Sequence, residues 1–274
     1  MMVSEEIKNR KGARKVENIS PEVLDLLNQG SIPTVNLTEW LAIDQTVLIK
    51  STFPHISLEG SIAPIVNALE QQKKTSTMGS IKLTGHLLYE YCCQTKTLVT
   101  IIKMLSRHES DTIRCYATYL IALNTDWDIS EKLEQSTHLV ADPHFGVREI
   151  VWMALRPEIE KNLPEAIQLL SEWTNNTDEN IRRFTTESTR PRGVWCKHME
   201  ELKENPEQAL PILEPLKSDP SKYVQDSVGN WLNDAGKSKP EFVVELCEKW
   251  KRESPTKETE KIIKRAQRSI GKTK

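Results

Sequence analysis

No apolar run in this 274-residue chain approaches the roughly 20 residues that a membrane span needs, so no spanning helix is predicted. The opening stretch MMVSEEIKNRKGARK lacks an apolar h-region, and no secretory leader is expected. Cysteine is scarce, with residues at 92, 93, 115, 196 and 247 only. That odd number contains no C-x-x-C pair, and no H-E-x-x-H occurs, which argues against a zinc site. Reduced thiols serving as core or filler in a cytosolic protein are expected instead. Strand signals are also missing: no alternating run is bounded by Asn-Gly or Asp-Gly. Apolar residues make up a lowish 38% and charged residues a highish 28%, as in helical repeat proteins with much surface for their volume.

What the chain does contain is a repeat. SDTIRCYATYLIAL (110–123), HFGVREIVWMAL (144–155), DENIRRFTTEST (178–189) and SKYVQDSVGNWL (221–232) share one plan. Each has a polar or proline-containing turn, a β-branched anchor, then apolar residues at helical spacing. The anchors Ile113, Val147, Ile181 and Val224 are 34, 34 and 43 residues apart, and a fainter copy anchors at Ile81. Between the copies lie amphipathic segments at 129–140, 164–173, 207–217 and 240–250. Two helices per unit at this period predict an all-α, HEAT-like repeat α-solenoid with a concave basic face. One domain over 1–274 is expected, with an N-terminal helical cap at 1–60 (helices at 21–29 and 36–49) and five to six repeats over 61–274. Asp142-Pro143 and Asp219-Pro220-Ser221 supply capping and N1-proline chemistry at helix starts.

The formal charge is only −2, but its distribution is uneven. Lys8, Arg10, Lys11, Arg14 and Lys15 lie near the start, and six basic residues without an acidic one occupy 261–274. The residue after the anchor is Lys82, Arg114, Arg148, Arg182 and, in a last copy, Lys264, with Gln225 departing. Cations recurring near helix N-termini predict a ladder of phosphate contacts. The competing reading is a solvated edge on which those cations pair with acidic neighbours. One stretch breaks the helical pattern: in ESTRPRGVW, Pro191 ends a helix that starts near Asp178. Arg183 and Glu187, four apart, share a face and can pair. The turn brings a carboxylate, Arg190, Arg192 and Trp195 together, although repeat-locking ion pairs and a core tryptophan would explain the same residues.

RRFTTESTRPRGVW (182–195), DPSKYVQDSVGNWLND (219–234) and KRAQRSI (264–270) resemble the AlkC branch of the alkylpurine DNA glycosylases, which are built from HEAT-like repeats. The family pattern reads R-x-x-x-E-G-x-R-P-R-L-P-W and then D-P-S-x-Y-V-R-x-S-V-A-N-H-L-N-D. The strong likeness runs from about 178 to 270, and the rest follows the repeat plan. This chain departs at Ser188, Gly193-Val194, Gln225 and Trp231, and an immunoglobulin-like domain found on some members is not expected.

The resemblance implies hydrolysis of the N-glycosidic bond of positively charged N-alkylated bases, of the 3-methyladenine type, in double-stranded DNA. It implies no metal or organic cofactor, and a monomer in the bacterial cytosol or nucleoid. Glu187 and Asp234 match the family's acidic positions, and Glu149 matches a further one. Arg183 matches the motif arginine and Trp195 the motif aromatic. A cationic base is already a good leaving group, so a carboxylate that stabilises the oxocarbenium-like sugar and orients water suffices. Trp195 and Trp152 are expected to offer aromatic faces. Arg190 and Arg192 are expected on the DNA backbone, with Arg114, Arg148, Arg182 and Lys264 on phosphates further away. A non-catalytic binder of damaged or branched DNA and a protein-binding HEAT scaffold are the alternatives.

Overall fold

The computed structural model describes residues 3–72 and 76–270, so Lys272 and Lys274 of the basic tail lie outside the described residues. In chain order the helices are α1 (Glu5–Lys8), α2 (Pro21–Asn28), α3 (Leu37–Ala42), α4 (Gln45–Thr52), α5 (Glu59–Gln71), α6 (Thr77–Thr95), α7 (Leu98–Leu105), α8 (Asp111–Leu123) and α9 (Ile129–Val140). There follow α10 (Phe145–Lys161), α11 (Leu163–Trp173), α12 (Glu179–Glu187), α13 (Glu200–Glu204), α14 (Leu210–Leu213), α15 (Lys222–Ala235), α16 (Pro240–Glu253) and α17 (Lys257–Ala266). No strand occurs among the described residues, and none of their helices is long and apolar enough to cross a membrane.

The chain divides into two compact units, Met1–Asp126 with Asp142–Ala154 and Trp127–Ala141 with Leu155–Lys274. In the first, α6 packs on α5 and α8, and α7 packs on α8. In the second, α15 packs between α12 and α17, and α11 touches α9 and α12. The anchors Ile81, Ile113, Val147, Ile181 and Val224 are all buried. Each such side chain contributes about 2 kcal/mol of hydrophobic stabilisation. The last copy shifts register: Ile262 is buried rather than Ile263, leaving Lys264 on the exposed face.

Local chemistry sets the helix starts. Asp128 and Glu131 form a capping box on α9, and Asp178 caps α12 through Asn180 N. The helix expected over 36–49 breaks in two because Asp44 accepts from Thr46 N and Val47 N and restarts the chain as α4. The segment 207–217 is fragmented, with only Leu210–Leu213 as α-helix. Ser221 is the N-cap of α15, so Pro220 precedes the cap instead of opening the helix.

The arginines after the anchors receive a different role from the one expected. Arg114 Nη1 donates to the carbonyls of His108 (2.7 Å) and Glu109 (2.9 Å), while Nε and Nη2 grip Asp142 at 2.7 and 3.1 Å. Arg182 repeats this on Asn176 (2.9 Å), Thr177 (3.0 Å) and Asp219 (2.6 and 3.0 Å). Arg148 Nη1 donates to Asp142 O (2.6 Å) and Pro143 O (2.8 Å). Gln225, the departing residue, donates through Nε2 to Asp219 O at 2.8 Å, six residues back like the others. Asp142 Oδ1 also accepts from His144 N (2.8 Å) and Asp219 Oδ1 from Ser221 N (2.8 Å), which makes each Asp-Pro turn the receiving half of a joint. The expected phosphate contacts are therefore corrected for Arg114 and Arg182: their forks are filled by protein acceptors, and side-chain exposure is only 12% in both.

Candidate functional site

The second unit builds a charged centre where α12 meets α15. Thr186 and Ser227 hydroxyls lie 2.6 Å apart across the seam, and Trp231 Nε1 donates to Thr189 O at 3.0 Å. These contacts bring the end of α12, carrying Glu187, to the end of α15, carrying Asp234. Both carboxylates are buried, at 4% and 2% exposure.

Arg190 stands between them. Its Nε and Nη2 donate to Asp234 Oδ2 at 2.9 and 2.6 Å, and Nη1 donates to Glu187 Oε2 at 3.3 Å. Burial works against the guanidinium charge, but the two carboxylates outweigh it and its pKa is raised. Lys237 Nζ donates to Asp234 Oδ1 at 2.9 Å. Glu187 Oε1 accepts from Ser227 Oγ at 2.8 Å and pairs with Arg183 at 3.4 Å. The Arg183 guanidinium lies 4.2 Å from the Tyr223 ring centroid, a cation–π contact.

The turn after α12 is tied across its ends. Pro191 prevents continuation of the helix, and Met199 N donates to Pro191 O at 3.0 Å across the turn. Trp195 adopts φ 65°, the left-handed region that a bulky residue seldom occupies, and is 77% exposed. Gly193 is closely packed: a Cβ there would drive into Cys196 Sγ and meet Arg156 Cζ at 3.2 Å. Beneath the turn, Arg156 is 3% exposed and donates to the carbonyls of Ser188, Arg190 and Lys197.

Glu187, Asp234, Arg183 and Arg190 thus meet in one cluster, with Trp195 on the turn that leaves it. Arg190, expected on DNA, instead bridges carboxylates, and Arg192 Nη2 donates to Ser238 Oγ at 2.8 Å. Trp152 is corrected too: only 3% exposed, it offers no ring face, and its Nε1 donates to Glu149 Oε2 at 2.9 Å within the first unit. Ser227, Tyr223, Lys237 and Arg156 escaped the sequence reading. Ser227 lies seven residues before Asp234 and Lys237 three after it, so helical spacing was a usable signal for both; Arg156, 31 residues before Glu187, left none. Among the described residues, no three His, Cys, Asp or Glu side chains converge as a metal site.

This geometry can be set beside known proteins. The Pseudomonas fluorescens alkylpurine DNA glycosylase AlkC, bound to DNA containing an abasic site analog, superposes with TM-score 0.66 at 22% identity. The match covers 94% of this chain and 65% of that one. AlkD2 from Streptococcus mutans gives TM-score 0.59 at 23% identity, over 77% of this chain and 99% of that one. These likenesses establish the all-α, HEAT-like repeat fold. The uncharacterized protein YhaZ of Bacillus subtilis is 38% identical over 117 residues, 43% of this chain and about a third (32%) of that protein. Residues 130–266, half of the sequence, match the family described as DNA alkylation repair enzyme, so the chain belongs to that family.

Proposed function

We propose that this chain is a DNA glycosylase that hydrolyses the N-glycosidic bond of positively charged N-alkylated bases, of the 3-methyladenine type, in duplex DNA. The observation that carries the reading is the pair Glu187 and Asp234, joined by Arg190, with the exposed Trp195 on the turn that follows. One relative in fold points the same way: an alkylpurine DNA glycosylase bound to DNA containing an abasic site analog.

The chemistry is economical. The bond from C1′ to the base nitrogen breaks, and its electron pair leaves with the cationic base, which departs neutral. Water adds to the oxocarbenium-like C1′ and loses a proton, leaving an abasic deoxyribose. The two carboxylates are not equivalent for this task. Asp234 is strapped by two Arg190 nitrogens and by Lys237, all within 2.9 Å. Glu187 keeps longer ionic contacts, 3.3 Å to Arg190 and 3.4 Å to Arg183. Glu187 is therefore assigned to stabilise the developing positive sugar and orient water, and Asp234 to hold Arg190 in place. Trp195 supplies the aromatic face for the cationic base or deoxyribose. Glu149 is retained as a further acidic candidate in the first unit.

Single-turnover release of bases from methylated DNA, identified by chromatography, tests the reading. Release of 3-methyladenine supports it. The second reading, a binder of damaged DNA without catalysis, draws on the burial of both carboxylates and gains ground if duplex is bound and no base released.

A further inference from the structure

Arg156 is a buried cation that donates to three backbone carbonyls of a single turn. Nε donates to Lys197 O and Nη1 to Ser188 O, both at 3.1 Å, and Nη2 donates to Arg190 O. Two of those carbonyls lie at the entry and one at the exit of the stretch that carries Arg192 and Trp195. Two further observations concern the same stretch. Gly193 approaches so near that its absent Cβ would lie 3.2 Å from Cζ and 3.4 Å from Nη2 of Arg156. Trp195 holds a left-handed backbone that costs about 1–2 kcal/mol in isolation and persists only where the surroundings enforce it. Burial lowers the Arg156 pKa, although Cys196 and Glu160 act in the opposite direction.

We propose that Arg156 is the positioning residue of this site: its planar fork gathers three carbonyls of the 188–197 turn and thereby fixes the placement of Trp195 and Arg190. The catalytic consequence rests on the glycosylase reading; the mechanical one does not. Lysine is a poor substitute, because an ammonium offers one nitrogen where the guanidinium presents a separate nitrogen to each of the three carbonyls. A lesion displaced by even about an ångström loses up to roughly a hundredfold in rate.

The test uses the full chain labelled with 5-fluorotryptophan, the Trp195 resonance being assigned by Trp195→Phe. In Arg156→Lys the Trp195 fluorine signal is expected to shift or broaden while the other six of the seven tryptophans stay in place. Base release should fall at least about tenfold while affinity for undamaged duplex is unchanged. An unmoved Trp195 signal overturns the proposal whatever happens to the rate. A moved signal with wild-type release overturns its catalytic half. If the wild type releases no base, the glycosylase reading fails, and the fluorine signal alone decides the clamp. If Arg156→Lys does not fold, Gly193→Ala replaces it. Its added methyl intrudes on Cys196 and Arg156, and the same Trp195 displacement is expected; an unmoved signal there overturns the proposal.

Discussion

At the scale of single residues, the cluster separates chemistry from stability. Glu187→Gln keeps an acceptor for Ser227 and loses the negative charge, so base release should fall by about a hundredfold, the scale of one lost electrostatic stabiliser. Asp234→Asn removes the strap on Arg190 and Lys237 inside a site only 2% exposed, which should cost about 3 kcal/mol of stability as well as activity. Thermal melting and single-turnover release, measured together, distinguish the two; a larger melting loss in Glu187→Gln than in Asp234→Asn would reverse the assignment of roles. Trp195 makes the opposite case. Its left-handed backbone suits glycine, and its exposed ring adds little to packing. Trp195→Gly should melt no lower than the wild type yet release base more slowly. A variant that melts lower would make Trp195 a packing residue.

At the scale of elements, the joints carry the argument. Arg182 and Asp219 tie the start of α12 to the start of α15, and removing either leaves a buried charge without its partner. Arg182→Ala and Asp219→Ala should each cost about 3 kcal/mol, and the double variant should cost less than the two together. The salt dependence of DNA affinity should not change in Arg182→Ala, whereas a phosphate contact would flatten the slope by about one unit. A flattened slope would restore the phosphate ladder. These joints also mark what the sequence could reveal. The anchors at 34-residue spacing located α8, α10 and α12 because burial repeats with the helices. The pairing of Arg183 with Glu187 followed from helical spacing alone. What the basic residues touch did not follow, because partners such as Asp142 for Arg114, or Asp219 for Arg182, lie 28 and 37 residues away. Spacing shows that a cation recurs; only packing decides whether it meets a carbonyl or a phosphate. Arg156 was hidden for the same reason, as its acceptors are backbone atoms, which sequence identity does not mark.

At the scale of the whole molecule, the buried His144 and the half-buried His108 are expected to make the first unit sensitive to acid. His108 and His144 both have lowered pKa values, with burial the leading cause in each. Around His144, Asp111 and Asp142 oppose the shift, while Arg114 and Arg148 reinforce it. The hydrogen bonds specify the neutral ring: Nδ1 accepts from Gly146 N at 3.2 Å, so the proton sits on Nε2 and is donated to Thr34 Oγ1 at 2.8 Å. Since protons bind the unfolded chain more readily than the folded one, this contribution to stability is complete above the ordinary value of 6.5. It is lost progressively as pH falls below that value towards the lowered one. Hydrogen exchange at about pH 7.5 and about pH 5.5, corrected for intrinsic rates, should show the segments around α8 and the start of α10 losing protection in acid. His144→Gln, whose amide can still donate towards Thr34, should lose less protection between the same two conditions. If the wild type is equally protected at both, or the variant loses as much, the neutral His144 ring is not what couples this unit to pH.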